Sequence, residues 1–146
     1  MYVDECGFEA SAARRFGYAR KGQRVYGGVS GQKRPRTSFL AARTQDGTLS
    51  ATLLWQGTCN TTIFNQWCEQ FLCPLLDSES VLILDNAAFH KSQITRQLIE
   101  NKGAKVLFLP PYSPDLNPIE HDFAALKKLR EYNHEKSIDE IIRMYK

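Results

Sequence analysis

Val81-Leu82-Ile83-Leu84-Asp85-Asn86 is the stretch on which the fold of this chain turns. Four consecutive apolar residues, bounded by polar neighbours, predict a central strand buried on both faces. The acid that follows stands where open α/β sheets place ligand-binding groups, at the C-terminal end of a parallel strand. Asp85-Asn86 also spells a turn, and both roles are open at this point.

Working upstream, Asn60 is placed to cap a helix whose apolar residues Ile63, Phe64, Trp67, Cys68, Phe71 and Leu72 fall on one side, with Pro74 near its end. Thr37–Arg43 and Leu49–Gln56 flank Gln45-Asp46-Gly47, a hairpin turn signal, and predict two antiparallel strands. Residues 1–8 predict a first strand carrying Asp4. The Gly-rich, basic stretch 10–35 has no clear periodicity and is expected to be a long loop or irregular hairpin of the kind that carries function.

Downstream, a helix is expected from Ser92 to Asn101, ended by Gly103. Val106–Leu109 is expected to be the next buried strand, followed by a rigid Pro-rich loop, a helix from Pro118 to about Glu131 and a short one capped by Ser137. Three hairpin-connected strands followed by alternating helices and strands define an α/β fold with a mixed sheet and a right-handed crossover. No internal repeat or linker divides the 146 residues, which fit one domain.

Composition sets outer bounds. Apolar residues make up 42% and charged residues 24%, ordinary for a soluble globular protein. No apolar run approaches the roughly 20 residues needed to span a bilayer, so no membrane partner is expected. The N-terminus lacks the pattern of a signal peptide. Four cysteines show neither paired metal-ligand spacing nor a disulfide framework, which points to a reducing cytoplasm.

The formal charge of +3 conceals a polarised distribution. No acid occurs between Glu9 and Asp46, while Arg14, Arg15, Arg20, Lys21, Arg24, Lys33, Arg34, Arg36 and Arg43 fall in that window with Phe16, Tyr18 and Tyr26 among them. Such density suits neutralisation of phosphates, with aromatics to pack on sugars or bases. A solvated basic face is the plainer alternative.

Three acids stand in motifs: Asp4, Asp85, and Glu120 in Asn117-Pro118-Ile119-Glu120-His121. Delivered from two strand ends and a helix start, they can converge on hard divalent cations that activate water against a phosphodiester. Asp4 and Glu5 are neighbours on a strand and point to opposite faces. Asp4, behind apolar Tyr2-Val3, is assigned to the site, and Glu5 to a supporting or surface place. Glu120 has a competing role: Asn117 at N-cap with Pro118 and Glu120 also spells a capping box. Asn86, His90, Asn117 and His121 are further supporting candidates, with Asp115 and Asp122 as alternatives should Glu120 prove only a cap.

Taken together, V-D-E (3–5), R-F-G-Y-A-R-K-G (15–22), L-D-N-A-A-F-H-K-S (84–92) and L-P-P-Y-S-P-D-L-N-P-I-E-H (109–121) resemble the catalytic domain of DDE transposases, in the bacterial insertion-sequence branch of the mariner-like superfamily. The resemblance covers residues 2–130. It implies a ribonuclease H-like fold with helices on both faces of a five-stranded mixed sheet, and two Mg²⁺ ions, replaceable by Mn²⁺, held by Asp4, Asp85 and Glu120. Phe123 stands where the family commonly has Trp. Relatives usually begin with a helix-turn-helix region that reads transposon ends. This chain starts at strand one, as expected of a split-frame product, a truncated copy or an expressed fragment.

The expected activity is metal-dependent cleavage of DNA at element ends and strand transfer into TA-containing target DNA. The partners this implies are DNA, a second copy in a homodimer, and a separately encoded N-terminal DNA-binding product. The expected location is the cytoplasm, on nucleoid DNA when bound. The alternatives are a ribonuclease H-like nuclease without strand transfer and a catalytically idle, DNA-binding regulatory fragment.

Overall fold

The fold is built around one sheet whose five strands run in the order β3-β2-β1-β4-β5. The computed structural model describes residues 1–9, 20–24, 36–111 and 113–145. Strands β1 (Tyr2–Phe8), β2 (Thr37–Arg43) and β3 (Leu49–Gln56) form an antiparallel meander, and β4 (Val81–Leu84) and β5 (Lys105–Phe108) add in parallel beside β1. Helices α1 (Thr61–Trp67), α2 (Gln93–Glu100), α3 (Ile119–Tyr132) and α4 (Ile138–Met144) complete the fold. Of the expected 10–35 loop, only residues 20–24 are described, as a turn closed by Gln23 N–H donating to Arg20 O at 2.9 Å.

Strand alternation divides the apolar residues between two cores. Val3, Leu40, Ala42, Leu82 and Leu84 pack with Phe64, Trp67, Cys68 and Leu72 on the α1–α2 side. Cys6, Phe8, Phe39 and Ala41 pack with Ile119, Phe123, Leu126 and Ile141 on the α3–α4 side. Phe123 meets Phe39 edge-on at 5.8 Å between ring centroids and is a core anchor.

Two expectations are corrected. Strand β4 is not buried on both faces: Leu82 and Leu84 are buried, but Val81 is 40% exposed. Strand β5 is an edge strand, with Leu107 51% exposed. The reason is that the α3–α4 core draws on β1, β2 and β3 and leaves this side of β4–β5 open. The helix is capped by Asn60 as expected, its side chain accepting from Ile63 N–H at 2.9 Å. It widens into a π-helical turn over Cys68–Leu72 and ends in a 3₁₀ turn at Cys73–Leu75, where Pro74 has no N–H to continue the ladder. Opposite it, Ala51 sits at a bulge in β3 with φ 49°, and its carbonyl accepts from Trp67 Nε1.

Candidate active site

Parallel pairing of β1 with β4 is what brings two of the acids together. Tyr2 pairs with Ile83 and Val3 with Leu84, so the next register position sets Asp4 beside Asp85. Neighbouring strands lie about 4.8 Å apart. Parity puts both on one face: Asp4 follows Tyr2, and Asp85 follows Ile83, opposite to the buried Val3 and Leu84. That face carries α3, whose first turn holds Glu120. Asp85, Asn86, Leu109, Pro110, Asn117 and Glu120 line a cleft of 370 Å³ above the strand ends.

The two aspartates differ sharply in environment. Burial is the main cause that pushes the Asp4 carboxyl up to about 6, with the negative charges of Asp85 and Glu120 adding to it. The Glu5 backbone N–H, donating to Asp4 Oδ1 at 2.7 Å, opposes that rise. Asp85 is held below the usual carboxylate range, first by His90 and then by the Ala87 N–H, which donates to its Oδ1 at 2.9 Å. His90 Nδ1 stands 2.6 Å from the same oxygen. The short contact is not a well-aligned hydrogen bond, and among the described residues both ring nitrogens of this buried histidine lack one. An unsatisfied buried polar group costs about 1–3 kcal/mol.

Asn117 resolves the cap question in an unexpected way. The helix begins at Ile119 with Pro118 in the cap position and no side-chain cap bond, so the Asn117–Glu120 capping box is not formed. The Asn117 amide instead donates to Asp4 Oδ2 at 2.9 Å, tying the start of α3 to β1. Among the described residues its Oδ1 is buried without a partner. The N-P-I-E spelling serves a cap and this cross-strand tie equally, and nothing in it separates the two. Glu120 is exposed at the cleft.

Other assignments shift. The Glu5 side chain lies on the α1 face and pairs with Arg36 at 3.6 Å; only its backbone serves Asp4. Asn86 donates across to Leu109 O at 2.5 Å and holds the two strand ends together. His121 is exposed beside Glu120, and Asp115 is exposed in the Pro114–Leu116 turn. Asp122 is unsuited to replace Glu120: it is buried, accepts from Arg43 Nε at 2.7 Å, and also accepts from the Tyr145 hydroxyl at 2.6 Å. Arg43 is thereby withdrawn from the basic window. Arg36 is partly committed to Glu5, while Arg20, Lys21 and Arg24 are exposed. Arg14, Arg15, Lys33 and Arg34 lie outside the described residues. A cation not singled out from the sequence, Lys91, lies 5.9 Å above the Phe108 ring and favours the ionised form of Asp85.

Among the described residues, no three His, Cys, Asp or Glu side chains already stand close enough to hold a metal ion. Asp85 and Glu120 line the cleft, Asp4 stands beside Asp85 in the strand register, and like charges of this kind repel when no cation is present. The donor set nevertheless suits a hard divalent ion. It consists of three carboxylates and the unpartnered Asn117 Oδ1, all oxygen.

The fold has close counterparts among solved structures. A Mos1 strand transfer complex matches with a TM-score of 0.69 at 22% identity, covering 99% of this chain and 49% of that one. A mariner Mos1 paired end complex with Mg matches at 0.68 and 23%, covering 86% and 40%. A simian T-cell lymphotropic virus intasome, in complex with a PP2A regulatory subunit, matches at 0.60 and 13%, covering 99% and 45%. The chain thus spans about half the length of those it matches or less, and it shares their ribonuclease H-like fold. No curated protein matches it. A family model described as DDE superfamily endonuclease matches residues 1–142, and the chain belongs to that family.

Proposed function

We propose that this chain is the catalytic core of a transposase, cutting DNA at the ends of a mobile element and joining those ends to target DNA. The observation that carries this is the β1–β4 register, which sets Asp4 beside Asp85 on the face where α3 presents Glu120. Membership of the endonuclease family and likeness to the Mos1 complexes support it. The spelling of the 109–121 motif favours the insertion-sequence branch, and TA-containing DNA is the proposed target.

Asp4, Asp85 and Glu120 are the residues that would hold two Mg²⁺ ions, or Mn²⁺ in their place. When bound, such ions supply an activated water and neutralise charge on the phosphoryl group. The chain's own part is positional. Asn117 and the Glu5 N–H fix both oxygens of Asp4, and the Ala87 N–H fixes one oxygen of Asp85. Hydrolysis of a phosphodiester leaves a 3′-hydroxyl and a 5′-phosphate. The 3′-hydroxyl then attacks a phosphorus of target DNA and expels a 3′-oxygen there, which takes up a proton. Neither step needs a covalent enzyme intermediate. Arg20, Lys21 and Arg24, with Arg14, Arg15, Lys33, Arg34 and Arg36, are proposed to hold the DNA backbone.

The alternative is an idle, DNA-binding fragment that regulates a longer transposase. Incubating the chain with Mn²⁺ and duplexes carrying element ends separates the cases. Nicked and joined products support transposition, nicks without joining indicate a nuclease of the same fold, and binding without either indicates the idle fragment. A homodimer or a separate DNA-binding product is the proposed route to recognition of the ends.

A further inference from the structure

The best-placed unexplained group outside the three acids is His90, which stands in the 3₁₀ turn Ala88–Lys91 and is 2% exposed. Its ring is clamped between two aromatics. The centroids of Phe64 and Phe89 each lie 4.4 Å from it, tilted at 50° and 71°, and the two phenyl rings meet each other at 5.7 Å. A histidine serving only to fill this apolar slot would be poorly chosen, because neither ring nitrogen finds an aligned partner and a phenyl ring has no such need. What the imidazole has that a phenyl ring lacks is Nδ1, 2.6 Å from Asp85 Oδ1.

Two bare lone pairs would repel at that distance, so the contact places a proton on Nδ1. The Ala87 N–H approaches the same oxygen, and together they leave Oδ2 of Asp85 as the oxygen free to face the cleft. Phe64 comes from α1 and Phe89 from the turn itself, so the hydrophobic core on the α1 side sets the angle of a carboxylate on the opposite face of the sheet.

We infer that His90 is a positioning residue: an imidazole, locked by Phe64 and Phe89, that holds Oδ1 of Asp85 through Nδ1 and so presents Oδ2 for ligation. The inference rests on Asp85 being a metal ligand, but its core, the protonated Nδ1 on Asp85, is independent of metal.

Two substitutions separate this role from packing. His90→Phe keeps the aromatic clamp and removes the donor. His90→Asn places an amide nitrogen close to where Nδ1 was but empties the slot. With Mn²⁺ as the probe, affinity is read from the metal-induced rise in melting temperature of the whole chain. Positioning predicts that His90→Phe is the more stable protein yet loses about tenfold or more in Mn²⁺ affinity, as losses of outer-shell partners do. His90→Asn is the less stable yet retains most of the affinity. Affinity that follows stability, with His90→Phe binding as the parent does, overturns the inference. Should the parent itself show no Mn²⁺ response, the proposed metal function fails. The inference is then decided by ¹⁵N NMR of the metal-free imidazole. Protonation at Nδ1, lost to Nε2 in Asp85→Ala, sustains it, and an Nε2–H tautomer in the parent overturns it.

Discussion

Asp4 and Asp85 occupy matching positions on neighbouring strands, yet their surroundings push them in opposite directions. Asp4 is sunk beneath Asn117, where burial and two nearby acids raise it to about 6. Asp85 lies at the rim, where His90 and a backbone N–H favour its charge. The pair is therefore asymmetric before any ion arrives. One carboxylate is already charged and aimed, while the other carries a charge that the metal-free fold disfavours. On the proposed function, an arriving cation would gain most from Asp4, because it would relieve a penalty there as well as form a bond.

The largest effect expected from this comparison is on catalysis. Asp4→Asn and Asp85→Asn are each predicted to reduce Mn²⁺-dependent nicking by orders of magnitude, since an amide is a poor ligand for a hard ion. A nicking assay in which either variant cut at the parent rate would remove that residue from the site.

Next in size is a control on the third ligand. Asp122→Ala leaves Arg43 without its partner and is predicted to cost about 3 kcal/mol in chemical denaturation. The Mn²⁺ response of the protein that remains folded should be unchanged. A lost response would make Asp122 a ligand after all.

The asymmetry itself is tested by stability without metal. Asp4 binds its proton more tightly in the folded chain than in the unfolded one. Its contribution therefore falls as pH rises from 3.8 to about 6 and stays low above that. Asp4→Asn is predicted to flatten that fall, because the substituted side chain no longer titrates. Asp85 has the opposite sign. Its contribution is full above 3.8 and is lost as pH drops through its lowered folded value, so Asp85→Asn weakens the fold at pH 7. Thermal melts at several pH values check both, and equal shifts in the two variants would abolish the distinction.

The smallest stability change is expected at Glu120. It is exposed and makes no cap, so Glu120→Gln should move stability by only about a few tenths of a kcal/mol while severely impairing cleavage. Retained cleavage would assign the third ligand elsewhere.

How much of this was legible in the sequence depended on which force set each feature. Strands Thr37–Arg43 and Leu49–Gln56 were readable to the residue because Asp46-Gly47 fixes the turn, with Gly47 at φ 91°. Their register and that of β1 carry Asp4 to its place. The burial of β4 and β5 was misread because a run of four apolar residues looks the same whether one face or both are covered. That is decided by where α3 and α4 come to rest. Asn117 was readable as important but not as a donor to Asp4, since a capping box and a tertiary tie share one spelling. His90 gave no periodic signal, because its role arises from Phe64, which lies 26 positions earlier in the chain.

The central claim is that Asp4, Asp85 and Glu120 converge on divalent metal. Anomalous diffraction from crystals of this chain grown or soaked with Mn²⁺ tests it most directly. The account predicts density within direct ligation distance, about 2.1 Å, of carboxylate oxygens of Asp4 and Asp85, with Glu120 on the same cluster. Ordered Mn²⁺ held by other residues, with these three carboxylates unengaged, would contradict it.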